Sequence, residues 1–120
     1  MVNFGAVETV PEKFKDRVFH IHNPQVTLMR SSAEENQGFG SWIAERLNQM
    51  TGPVRFLLPM GGVSALDAPD MPFHDPEADA VLFEAIETGV AEKSNLIRVP
   101  DNLNTVAFAQ AAMTVYQEIT

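Results

Sequence analysis

A strand-like run followed by a helical pattern, three times in succession, constrains this chain more than any other feature. Val54-Arg55-Phe56-Leu57-Leu58 is short, apolar and closed by Pro59, and Leu96-Ile97-Arg98-Val99 is closed in the same way by Pro100. Both read as buried strands of a parallel sheet. Val18-Phe19-His20-Ile21-His22 alternates and predicts a third strand, and Val2-Asn3-Phe4 the tail of another. The helices announce themselves at their starts. Ser32 with Glu35 forms a capping box, and Phe39, Ile43, Leu47 and Met50 follow as one stripe ending near Thr51-Gly52-Pro53. Asp75 and Pro76 are an N-cap and a first-position proline, ahead of a stripe of Ala78, Val81, Leu82, Ala85, Ile86 and Val90. Glu77, Asp79, Glu84 and Glu87 are expected to face water. A third helix is expected from Asn104, with Phe108, Ala109, Ala112, Met113, Tyr116 and Ile119 on one face. Trp42 and the methionines are expected in the core or at an interface. Strands alternating with helices predict an α/β fold with a mainly parallel sheet and right-handed crossovers.

Such a sheet would be narrow and its edges bare. The chain also opens within what reads as an element. The expectation is therefore a single segment, residues 1–120, of an incomplete domain whose other strands come from elsewhere in the polypeptide or from another subunit.

Composition removes several function classes. The chain has no cysteine, which excludes disulfide scaffolds, thiolate metal sites and a cysteine nucleophile. No apolar run approaches the ~20 residues of a membrane helix, and the amino terminus lacks a signal-peptide pattern, so a cytoplasmic protein is expected. The net charge of −8 is unevenly placed. Acids and bases balance through residue 60, whereas beyond it only Lys93 and Arg98 oppose ten acids. No Lys/Arg cluster exists to neutralise a phosphate backbone or an anionic membrane, so neither partner is expected. A small polyanion such as a nucleotide is still compatible, near the neutral half or through magnesium.

The connection from Pro59 to His74 is about three times the usual length between a strand and a helix. Long ordered loops at the carboxyl end of a parallel strand are where open α/β sheets build their sites. Gly61, Gly62 and Ser64 offer backbone amides and a hydroxyl to an anion, although by itself the glycine pair reads first as a tight turn needing positive φ. Asp67, Asp70, His74 and Asp75 crowd the same loop. Asp75 is already explained as a cap, and a direct metal site is not the expectation. Asp67 has no local turn or cap reason and is the carboxylate retained, to orient a ribose hydroxyl or hold magnesium through water. His20 and His22 share a strand face, and His22 and Asn23 lie nearer the loops. Arg30 precedes the start of the first helix, where an anion site and a simple cap are both open readings. No catalytic residue can be assigned from these patterns.

Three strings occur together: His22-Asn23-Pro24-Gln25-Val26-Thr27-Leu28-Met29-Arg30, Phe56-Leu57-Leu58-Pro59 with Gly61 to Pro69, and Pro72-Phe73-His74-Asp75-Pro76-Glu77-Ala78-Asp79. With the opening Met1 to Ala6 and Val10-Pro11-Glu12, they resemble the carboxy-terminal part of the tobamovirus-resistance-related (Tm-one-like ATP-binding) family, over essentially the whole chain. Asp70 departs from that pattern, which has glycine there. The resemblance implies a Rossmann-like three-layer αβα lobe, the second of two in a larger protein, that binds ATP and self-associates. The site expected on both grounds is a nucleotide-phosphate site of Gly61, Gly62, Ser64 and Asp67, with His22, Asn23 and Arg30 approaching from a strand end. Its ligand would be ATP, alone or with magnesium. Two alternatives stand: a metal-assisted hydrolase or transferase acting on a small phosphorylated substrate, and a non-catalytic oligomerisation or interaction module.

Overall fold

The computed structural model describes all residues, Met1–Thr120. The chain divides into two compact units, residues 1–32 and 33–120.

The first unit is a three-stranded antiparallel sheet of β1 (Val2–Phe4), β2 (Phe19–Asn23) and β3 (Val26–Met29), in the order β1-β3-β2. The register pairs Val2 and Phe19 with Met29, and Phe4 and Ile21 with Thr27. The hairpin between β2 and β3 follows from Asn23-Pro24-Gln25. The Asn23 side chain accepts the Gln25 amide at 2.9 Å, an Asx turn that reverses the chain. Two short 3-10 turns, Val7–Thr9 and Glu12–Phe14, carry the chain from β1 toward β2. Phe14 packs on Phe4 with ring centroids 5.8 Å apart, and Arg17 lies over the Phe14 ring.

The second unit contains α1 (Ala33–Asn48), β4 (Phe56–Pro59), α2 (Pro76–Gly89), β5 (Leu96–Val99) and α3 (Val106–Ile119). β4 and β5 pair in parallel, Phe56 opposite Leu96 through Pro59 opposite Val99, with α2 as the crossover. The core is Ala44, Leu47, Leu58, Phe83, Ile86 and Val90. Helices α1 and α2 approach closely because small residues meet at their crossing. A Cβ on Gly40 would lie 2.6 Å from Ala85 Cβ, and one on Gly89 would lie 2.7 Å from Ala44 Cβ. Two amide side chains lock the pair. Asn36 donates to the Ala78 carbonyl at 2.8 Å, while Asn48 donates to Gly89 O and accepts from the Ala91 amide. No helix is long and apolar enough to cross a membrane.

The chain is thus mixed α/β with two small sheets, and the expectation of a mainly parallel sheet is corrected. One strand–helix–strand crossover is present, β4-α2-β5. The run around Val18–His22 enters an antiparallel hairpin with Val26–Met29, a strand too close behind Asn23-Pro24 for a helix to intervene. The helix stripes also shift. In α1 the buried positions are Asn36, Gly40, Ala44 and Leu47, while Phe39 is exposed, Trp42 is 58% exposed, and Met50 lies exposed beyond the helix end. Gly40 and Ala44 face α2 because only small side chains fit at that crossing. In α2, Asp79 is buried rather than in water. In α3, which begins at Val106 with Thr105 as N-cap, no residue is buried, and Met113 and Tyr116 are exposed. Of the methionines only Met29 is buried.

Candidate functional site

The loop after β4 is held against the chain that follows β5. The Met60 amide donates to Val99 O at 2.8 Å, continuing the parallel pairing, and the Gly61 amide donates to Asp101 O at 3.2 Å. Gly62 closes a turn onto Pro59 O and accepts the Leu103 amide. It has φ +124°, and a Cβ there would lie 2.0 Å from the Asp67 carbonyl oxygen, so glycine is required. At Gly61 an added Cβ would meet the Asn102 amide nitrogen at 2.5 Å. The amides of Gly61 and Gly62, read from the sequence as facing a phosphate, are therefore engaged with main-chain carbonyls. Their lack of a side chain lets two loops touch.

Asp67 is the centre of the loop. It is 1% exposed, and its carboxylate accepts the Val63 amide at 3.0 Å and the Asp75 amide at 3.2 Å. The second bond ties the loop to the start of α2, where Asp75 Oδ1 accepts the Ala78 amide as N-cap. Phe73, also buried, donates its amide to Leu66 O. Ser64 accepts the Leu66 amide on its hydroxyl at 3.2 Å. Asp70 takes φ +67°, the left-handed conformation that suits glycine and that Asp tolerates among L-residues. The His74 amide donates to Met71 O.

Asn102, which the sequence reading passed over, is the other organiser. Its side-chain amide reaches the carbonyls of Gly61, Ser64 and Asp67 at 3.3, 2.8 and 3.1 Å, and its oxygen accepts the Asn104 amide. A signal was available. Asp101-Asn102 follows Pro100 just as Met60-Gly61 follows Pro59, and the carboxyl ends of adjacent parallel strands share one rim.

Beside this loop, Met60, Gly61, His74, Pro76, Asp79 and Phe83 line a cleft of about 130 Å³. No group of three or more His, Asp or Glu side chains is placed to hold a metal ion. His22, Asn23 and Arg30 belong to the first unit. His22 is exposed on β2, and Asn23 is engaged in its Asx turn. Arg30 is buried, and its backbone joins Val18 O through its amide and the Arg17 guanidinium through its carbonyl.

The sequence profile of the uncharacterised protein family UPF0261, carboxy-terminal domain, matches residues 1–120. The chain belongs to the UPF0261 family. A UPF0261 protein of Rhizobium meliloti is 50% identical over 121 residues, covering 99% of this chain and 30% of that protein. A UPF0261 protein of Clostridium tetani is 43% identical, with 92% of this chain and 28% of that protein covered. The ToMV resistance protein Tm-1(GCR237) of Solanum lycopersicum is 41% identical over all of this chain and 16% of its own length. The chain therefore spans less than a third of the length of these relatives. The family resemblance carried by the three strings and the opening residues is shown by these matches, and UPF0261 and tobamovirus-resistance proteins share this domain.

Proposed function

We propose that this UPF0261 domain forms one wall of a nucleotide-phosphate site, for ATP with magnesium, within a longer Rossmann-like protein. The observation that supports this reading is the rigid loop at the carboxyl ends of β4 and β5. A buried aspartate and an asparagine lock it there, where open α/β sheets place their ligands. The adjoining cleft of about 130 Å³ is below the ~300 Å³ at which whole-ligand pockets begin. Only the phosphate end would lie here, with base and ribose held by other parts of the polypeptide. In this arrangement Gly61 shapes the cleft wall, and Gly62 lets the loop close against Asp67 behind it. The Ser64 hydroxyl supplies a polar contact, and Asp67 acts by holding the loop. Magnesium would arrive with the nucleotide, since the domain offers no ligand cluster of its own.

A thermal melt of the chain with millimolar MgATP, against a magnesium-only control, tests the proposal. A ligand at about a hundred times its dissociation constant stabilises by roughly 2.7 kcal/mol, several degrees for a chain of this size. An ATP-specific shift that Ser64→Ala reduces is expected. No shift in either this chain or the full-length Rhizobium meliloti relative would reject the nucleotide reading.

A further inference from the structure

β4 has one neighbour. It pairs with β5, and its other edge carries no strand. Along it runs a groove of about 380 Å³ lined by all of Phe56, Leu57, Leu58 and Pro59. Successive strand residues point to opposite faces of a sheet, so a cavity on one face would touch only alternate residues. A cavity touching four in a row follows the strand's edge. Apart from Arg55 at one end, its other walls are apolar: Ile43 of α1, Leu82 of α2, and Phe108 and Ala112 of α3 among them. Within β4 the edge carries no charge and no bulge, and its protection is limited to its four-residue length, Pro59 at its end and Arg55 just before it. α3 adds a second observation. Its composition is strongly apolar, yet it has no buried residue, and Phe108 and Ala112 are only half-buried where they border the groove.

We propose that this groove receives an extended apolar segment as a third strand beside β4, supplied by the part of the longer UPF0261 polypeptide outside this domain. Two arguments select that occupant. The Rhizobium meliloti and Clostridium tetani relatives devote about 70% of their length to sequence outside the matched segment, which belongs to their carboxy-terminal domain. A second copy of the chain is disfavoured, because each copy carries a net charge of −8. A single strand brings backbone donors and acceptors to the edge and side chains to the apolar walls. The inference is independent of the nucleotide reading.

Amide hydrogen exchange at Phe56, Leu57 and Leu58 tests it, in the 120-residue chain and in a chimaera in which this chain replaces the matching segment of the Rhizobium meliloti relative. The edge-facing amides are expected to exchange about a hundredfold more slowly in the chimaera. Ala112→Glu, which places a charge in the groove wall on a helix with no buried residue, is expected to abolish that protection and leave the melt of the isolated chain unchanged. Equal exchange in the two proteins overturns the proposal. So does protection in the chain alone that rises with its concentration, which would assign the edge to a second copy. If the chimaera does not fold, peptides of about 15 residues tiled across the relative's other sequence give the same readout on the isolated chain. Protection by one of them supports the proposal, and protection by none overturns it.

Discussion

The buried Asp67 carboxylate accepts two part-buried amides, one within its own loop and one from the residue that caps α2. Asp67→Ala would remove the acceptor of both, at up to about 1–3 kcal/mol each. A fall in Tm of several degrees is expected with or without nucleotide. Asp67→Asn keeps the shape and an acceptor oxygen and should recover part of the loss, so the pair of variants separates a structural role from a ligand role in calorimetry. Gly62→Ala should be at least as damaging, since φ +124° and a carbonyl 2.0 Å from the new Cβ leave no relaxed geometry. Glu92 offers a different test. The Ser94 hydroxyl, at 2.7 Å, and the Ser94 amide hold its carboxyl below the usual glutamate value of 4.5, with Arg55 adding a favourable charge. A depressed folded pKa stabilises above the unfolded value, and that contribution fades as pH falls through the folded one. In an NMR titration Glu92 should titrate below 4.5, and Ser94→Ala should move it upward.

At the scale of elements, the α1–α2 pair is fixed by absent side chains as much as by present ones. Gly40→Ala would drive a methyl to 2.6 Å from Ala85 Cβ and 2.8 Å from Leu82 O. It should destabilise by about 1–3 kcal/mol despite alanine's better helix propensity. Gly38→Ala on the same helix meets nothing within 4 Å and should stabilise by up to about 1 kcal/mol. Chemical denaturation of the two variants compares them directly. α3 should behave unlike α1 and α2. With no buried residue it has little to lose on opening, and its amides should exchange well below the protection of Leu58 or Ile86. The helix starts were legible at Asp75-Pro76 because caps are local chemistry. The stripes were less so, because Phe39 and Tyr116 satisfy helical periodicity while the buried positions were decided by which neighbour lay opposite.

At the scale of the molecule, eight excess negative charges, all in residues 61–120, share one unit with an exposed apolar helix. Repulsion keeps such chains apart when the charge is expressed. Light scattering should show association as pH approaches about 4.7, where net charge vanishes, and recovery on return to neutral pH. Val106→Lys with Met113→Lys, both at exposed apolar positions of α3, should weaken that association.

The sequence by itself determined where α1 and α2 begin, that β4 and β5 are apolar strands ending at proline, that a long loop joins β4 to α2, and which family the chain joins. Each of these rests on neighbours within a few positions or on an ordered string. Tertiary structure alone decided that Gly61 gives its amide to the Asp101 carbonyl, that Gly62 accepts the Leu103 amide, and that Asn102 ties the loop together. It also decided that α3 finds no core. All four depend on contacts between distant residues, where steric fit and the pairing of buried polar groups choose among arrangements that local pattern leaves equal.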